Sequence, residues 1–291
     1  MNCMSLQEIE LPEGLEEIGK SAFEGCSSLK RIVIPEGVRS IREKTFCECT
    51  ALQEIRLPDG LELIGRSAFS ECEALQEIRL PDGLKEIGSD AFSGCRSLRQ
   101  ITVPVGVKCI ETAVFQSCRA LQEVHLPEGL EQIGMFAFED CDTLTRIVLP
   151  ASLKRLCRGA FENCTSLLEA QLPDGLEELQ DDAFEYCRSL QKVTIPAQMR
   201  QIERAAFYYC QSLQEVQLPE ELNEIGEDAF AHCWALKRIV IPAGVEKVGE
   251  HAFWECYSLQ NIAVLSDDTE IAEDAFEDCP GTVKRGTGSL F

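Results

Sequence analysis

Basic side chains are scarce in this chain: 27 lysines and arginines face 50 aspartates and glutamates, a formal net charge of −23 over 291 residues. Neutralising phosphates needs a basic face, so the balance excludes a nucleic-acid binder and a protein held on an anionic lipid surface. Histidine is rarer still. His125, His232 and His251 are the only three, too few and too scattered for most catalytic constellations. GxSxG, HExxH, CxxC and glycine-rich phosphate loops are all missing, which leaves no recognisable acid, base or nucleophile arrangement, no metal centre and no cofactor site. No apolar run approaches membrane-spanning length, so no membrane insertion is expected, and residues 1–10 lack the basic start and apolar stretch of a signal peptide.

Apolar residues are not scarce. At 45% they are too many for a disordered chain. The 16 cysteines are also plentiful, and their spacing is informative. Thirteen recur every 23 residues without a slip, from Cys3, Cys26 and Cys49 to Cys279; only Cys47, Cys109 and Cys157 fall outside the column. Phenylalanine keeps the same step from Phe23 to Phe276, leucine from Leu6 to Leu259, and proline from Pro12 to Pro242, failing at Leu265. The unit reads LxxIxLPxGLxxIGxxAFxxCxx, and 12 copies fit in the chain. A fixed period of this length is the signature of a solenoid.

Within one unit, Leu52, Ile55 and Leu57 form the inward face of a short strand that ends at Pro58. Pro58, Asp59 and Gly60 then make a turn in which proline fixes φ and glycine allows a positive φ. Ala68, Phe69 and Cys72 close the coil in a tight helical or 3₁₀ turn, since a long helix does not fit. No unit buries its apolar face alone, and stacking makes a continuous core of leucine, isoleucine and phenylalanine. Each cysteine follows a core phenylalanine by one turn, and 13 is an odd number. Reduced, buried thiols acting as small hydrophobes are the expectation, with bridges between stacked coils as the alternative.

Leu6, Ile9, Leu11, Pro12, Ile18, Gly19, Ala22, Phe23 and Cys26, with their eleven later equivalents, resemble the 23-residue leucine-rich repeat of BspA-like surface proteins, a class also described from Treponema. The resemblance covers residues 2 to about 280. It implies a right-handed, curved leucine-rich-repeat solenoid with a parallel β-sheet on the concave face, used to bind other macromolecules, and it implies no catalysis. The domain organisation read from the chain is one solenoid over residues 1–281 and a C-terminal tail over 282–291. Departures are local: Arg42, Glu111, Cys157, Gln180, Glu203 and Ala272 replace the second glycine, and Ser152, Gln198, Glu221 and Asp267 the first.

Stacking at about 4.8 Å turns each side-chain column into a ladder. The third unit position alternates in sign from Glu123 through Arg146, Glu169, Lys192 and Glu215 to Arg238. That pattern specifies register and solubility, because a slip of one coil would set like charge against like. The uncompensated acids follow the prolines: Glu13, Glu36, Asp59, Asp82, Glu128, Asp174 and Glu220. They sit one per coil, whereas calcium needs several carboxylates on one point.

Two surfaces stand out as partner sites. All four tyrosines and both tryptophans lie between positions 186 and 257: Tyr186, Tyr208, Tyr209, Trp234, Trp254 and Tyr257, with His232 in the Tyr186–Tyr209 column. Earlier repeats hold polar residues at these positions, which marks the columns as solvent-facing, and clustered exposed aromatics have the composition of an interaction patch. Arg56, Arg79 and His125 form a mildly basic island on the concave sheet, where the resemblance places recognition. The first coil begins inside a repeat and carries no cap, so it is read as part of a longer solenoid, or as an end available for end-to-end self-association. Localisation stays open: cytoplasmic for a complete chain, surface or secreted for a fragment. The expected function is a non-enzymatic module that binds a protein or host-surface ligand, the alternative being a structural spacer within a longer array.

Overall fold

A computed structural model describes residues 3–286, and the described residues contain strands and turns without any α- or 3₁₀-helix. The architecture is a parallel β-solenoid of about 11 turns. The chain divides into two compact units, Met1–Ser152 and Leu153–Phe291.

In the first unit, the strand Arg31–Val33 pairs in parallel with Glu54–Arg56, and Gln100–Thr102 with Glu123–His125, every partner lying 23 residues away. On the other side of each coil, two-residue strands at Ser40–Ile41, Leu63–Ile64 and Glu86–Ile87 stack in the same register. The second unit repeats the plan with Glu169–Gln171, Lys192–Thr194 and Glu215–Gln217 on one side and Gln201–Ile202, Glu224–Ile225, Lys247–Val248 and Glu270–Ile271 on the other. Its last strand, Thr282–Arg285, lies within the expected C-terminal tail, residues 282–291. It pairs with Asn261–Val264 at a step of 21 residues, and Arg285 Nη1 donates to the carbonyls of Asp267 and Thr269 at 2.8 and 3.2 Å. Residues 287–291 of that tail, like residues 1 and 2, lie outside the described residues.

The expected core is present. Leu52, Ile55 and Leu57 are buried, and the phenylalanines from Phe46 to Phe253 are fully enclosed. Successive rings stack nearly parallel, with Phe69 to Phe92 at 5.3 Å and Phe207 to Phe230 at 5.3 Å between centroids. Each such ring contributes roughly 2–3 kcal/mol by burial. None of the 16 cysteines forms a disulfide. The column thiols donate to the phenylalanine carbonyl of the preceding coil, Cys49 Sγ to Phe23 O at 3.1 Å and Cys118 Sγ to Phe92 O at 3.2 Å.

Two details differ from the sequence reading. The proline turn does not use a positive φ: Leu61 N donates to Pro58 O at 3.1 Å, and of the described glycines in this column only Gly129 adopts one, at +95°. Glycine serves close approach instead, since a Cβ at Gly106 would stand 2.5 Å from Leu84 O of the coil before it. Positive φ is found where helical turns were expected. Every 23rd residue from Ser21 to His251, and from Gly25 to Asp278, is left-handed, with φ between 52° and 60° at the non-glycine positions. The hydrogen bonding explains this. N–H groups of Ser21, Phe23 and Gly25 reach forward to Glu43, Thr45 and Cys47 carbonyls at 3.0, 2.9 and 2.8 Å. Those of Ala22, Glu24 and Cys26 close turns onto Gly19, Ser21 and Phe23 at 3.2, 3.2 and 3.0 Å. Left-handed residues cost roughly 1–2 kcal/mol each, and here the reversals let every backbone donor from Ser21 to Cys26 find an acceptor, alternately on the following coil and within the turn.

The charge ladders close only at some steps. Arg31–Glu8 at 2.9 Å and Lys85–Glu62 at 2.6 Å join coils of the first unit, and Arg238–Glu215 at 2.8 Å joins coils of the second. These pairs are exposed, so solvent screens them and each adds little to stability.

Candidate functional site

The aromatic columns of the second unit come together into one cluster. Tyr186, Tyr209 and His232 occupy successive coils at the second left-handed position. Their amides donate to Tyr208, Ala231 and Trp254 carbonyls at 2.8, 2.9 and 2.8 Å, which aims the three side chains the same way off the edge of the stack. Tyr186 and Tyr209 have centroids 5.1 Å apart, and Tyr209 lies 4.1 Å from His232. Tyr208 packs edge-on against both tyrosines, at 5.7 and 5.0 Å. Trp254 covers the far side of His232 at 4.6 Å, while Trp234 stands 6.0 Å from Tyr209 and 6.3 Å from Tyr257. The structure thus joins all seven sequence-derived candidates through ring contacts.

Exposure within the cluster is uneven, and the solvent-facing expectation fails for its centre. His232 is only 4% exposed, because the rings on either side cover it, whereas Trp234 and Tyr257 are 38% and 53% exposed. Tyr186, Tyr208, Tyr209 and Trp254 are half-buried. Burial, together with the neighbouring Tyr186, Tyr209, Asp228 and Glu185, pushes the Tyr208 hydroxyl up to about 12. Tyr257 also rises to about 12, first because its hydroxyl hydrogen-bonds Glu255.

Residues outside the seven expected candidates complete the site. Glu255 places Oε2 2.9 Å from His232 Nδ1, and it is the next member of the Tyr186–Tyr209–His232 column, so the 23-residue step alone points to it. His251 lies 5.4 Å from Trp254 and 3.4 Å from Asp274. Arg188 holds its guanidinium 5.7 Å above the Tyr186 ring. Beside the cluster, the buried Asp182 sits 2.8 Å from Arg158 and 3.1 Å from Arg204.

Glu185 adjoins this network. Burial, then Glu162 and Asp182, raise its carboxyl from the ordinary 4.5 to about 7, against the pull of Arg204 and Arg158. A raised carboxylate value means the fold prefers the neutral form. The contribution is therefore most favourable below about pH 4.5 and is lost as pH climbs through about 7. Glu185→Gln should match wild type near pH 4.5 and exceed it at pH 8 by about 1–2 kcal/mol, after allowing for solvent screening of a half-buried group. Urea denaturation at the two pH values checks this, and a difference that does not grow with pH rejects it.

The basic island of the first unit is dispersed. Arg79 and His125 border a shallow depression shared with Glu54, Glu77 and Asp82, while Arg56 borders another with Glu8, Glu10 and Arg31. His125 Nε2 is 3.0 Å from Glu123 Oε1. All three candidates are exposed, but acids interleave them and cancel the positive field.

The family model described as "BspA type Leucine rich repeat region (6 copies)" matches residues 1–119, 85–214 and 177–284. The chain belongs to the BspA-type leucine-rich repeat family. Among solved structures, this BspA-type chain is similar to a leucine-rich repeat protein from Bacteroides ovatus, at 31% identity and a TM-score of 0.82 over 98% of this chain and 79% of the other. It is also similar to a leucine rich cell surface protein from Faecalibacterium prausnitzii, at 26% identity and a TM-score of 0.57 over 94% and 84%. The pneumococcal vaccine antigen PcpA shares the fold, at 20% identity and a TM-score of 0.58 over 90% and 70%. No curated protein sequence matches the chain significantly. Among the described residues, no helix of this BspA-type chain is long and apolar enough to cross a membrane.

Proposed function

We propose that the chain is a non-enzymatic binding module that presents the aromatic edge of its second unit to a protein or cell-surface ligand. The observation that carries the reading is the continuity of the cluster: rings from four coils touch in sequence and end in the exposed pair Trp234 and Tyr257. Tryptophan and tyrosine supply large, stiff contact area and dominate binding energy at protein interfaces. The similarity to a cell surface protein of Faecalibacterium prausnitzii supports a surface setting. A spacer role within a longer array is the second reading, supported by Thr282–Arg285, which extends the strand ladder beyond Cys279.

The test compares wild type with the Tyr208→Ala, Tyr209→Ala, Trp234→Ala, Trp254→Ala variant on an array of purified extracellular and cell-surface proteins. Three of these residues are half-buried, so a Trp234→Ala, Tyr257→Ala variant at the exposed positions separates binding from stability. Losing two such anchors should weaken partner binding at least about 30-fold, the scale of interface hot spots. Unchanged binding by both variants would reject the aromatic edge.

A further inference from the structure

The aromatic edge does not have the same surroundings along its length. At its Tyr186 end the chain supplies its own cation, Arg188, whose guanidinium stands 5.7 Å over the ring. Arg188 is exposed and forms no ion pair among the described residues, so the ring is the contact that holds it. At the Trp234–Tyr257 end no lysine or arginine of the chain occupies the equivalent place among the described residues. Between Lys247 and Lys284 the sequence has nine acidic residues and no lysine or arginine.

Several of those acids stand against the rings. Glu255 bridges His232 and the Tyr257 hydroxyl, and Asp278 follows Glu255 in the same column, one coil further on. Asp274 and Glu277 lie 3.4 and 4.0 Å from His251, which packs on Trp254. Exposed π faces bordered by carboxylates attract a cation twice, through the ring quadrupole and through ion pairing, and they repel an anion. On those grounds we infer that the Trp234–Tyr257 end docks a lysine- or arginine-bearing extended segment of a partner protein, with its cationic groups over the two exposed rings and against Glu255 and Asp278, as Arg188 sits over Tyr186. This rests on the binding-module reading and names the chemistry of the partner.

Intrinsic fluorescence reports the site directly, because the only two tryptophans of the chain, Trp234 and Trp254, both belong to it. The full chain is titrated with an arginine-glycine dodecapeptide, with a glutamate-glycine peptide of equal length, and with a neutral dextran oligosaccharide, at low and at physiological salt. The arginine peptide should give a saturable change in emission, and the other two none. Trp234→Ala, read through Trp254, and Tyr257→Ala should each weaken the arginine peptide by about 3- to 20-fold. Asp278→Asn should weaken it as well, in a background that folds normally because asparagine tolerates the left-handed backbone at that position.

The control is Asp59→Asn, Asp82→Asn, at acidic turns of the first unit, which should leave the affinity unchanged. The inference is overturned if the control weakens binding as much as Trp234→Ala, since that outcome assigns the attraction to net charge alone. It is also overturned if the arginine peptide gives no saturable change, or if dextran binds as well. Any of these results, alongside loss of partner binding by the Trp234→Ala, Tyr257→Ala variant, leaves the aromatic edge standing as the docking surface and removes only its cationic specificity.

Discussion

Replacing Phe92 by alanine should lower stability by about 3–5 kcal/mol, the range for truncating a large aromatic side chain in a packed core. Phe92 is fully buried and lies between Phe69 at 5.3 Å and Phe115 at 5.7 Å, with both interplanar angles at 7°. The cavity cannot close by a local shift. Phe92 N is tied to Val114 O at 2.9 Å, and its carbonyl accepts from Cys95 N at 3.1 Å and Cys118 Sγ at 3.2 Å. The backbone on both sides is therefore held in register while the ring is missing. Urea denaturation followed by far-UV circular dichroism measures the loss, with Val33→Ala as the comparison. Val33 is 61% exposed, and a surface truncation of that kind stays within about 0.5 kcal/mol. A Phe92→Ala loss below about 1 kcal/mol would contradict a rigid stacked core.

The thiols should separate by orders of magnitude in reactivity. Only the thiolate reacts, and burial drives its formation out of reach. Cys49 is pushed up to about 12, and Cys72, Cys95 and Cys210 are driven far above the usual thiol range, first by burial. Cys3 is exposed, and Cys109 and Cys279 are half-buried, with Cys279 lowered by its hydrogen bond to Cys256. In native protein at pH 8 a disulfide-exchange reagent should label Cys3 first and Cys109 and Cys279 more slowly. The fully buried column should stay protected until the chain unfolds, because a value near 12 leaves about one thiolate in ten thousand. Denatured protein should then yield all 16. Rapid native labelling of most thiols would show that the column opens to solvent, and a denatured total below 16 would reveal bridges or oxidation.

The columns of leucine, phenylalanine and cysteine were legible because burial is periodic when every coil has one length. The strand side and the core followed from residues such as Leu52, Ile55 and Phe69 directly. The backbone of the closing turn was not legible. Its left-handed positions carry Lys44, Glu48, Phe136 and Tyr209, residues with no preference for that region, and what holds them there is a set of hydrogen bonds to the following coil that local propensity does not encode. The aromatic cluster was legible as a set of columns, and extending the Tyr186 column by one step reaches Glu255. The depth of His232 was not legible. Earlier members of its column, such as Ser117 and Asp140, are too short to cover one another, whereas the Tyr209 ring at 4.1 Å covers the imidazole. The basic island is spread over two depressions because neighbours in a column are spaced by coils, with acids such as Glu54 and Glu77 beside Arg79 and His125.

The 23-residue step is also a coordinate system for how this chain can change. Inter-coil neighbours of a core residue are found by adding or subtracting 23, as His232 and Glu255, 2.9 Å apart, illustrate. Deleting or duplicating one whole coil within a unit leaves every core ring, thiol and left-handed residue facing its own kind, while in the alternating ladder from Glu123 to Arg238 it sets like charge against like. Any other change in length inside a coil displaces all those columns together. Among the described strand pairs the step contracts to 21 residues between Asn261 and Thr282; Phe276 and Cys279 keep the 23-residue register within that span, so the contraction falls after Cys279, and the strands still pair. A change of length by whole coils therefore keeps the core columns in register.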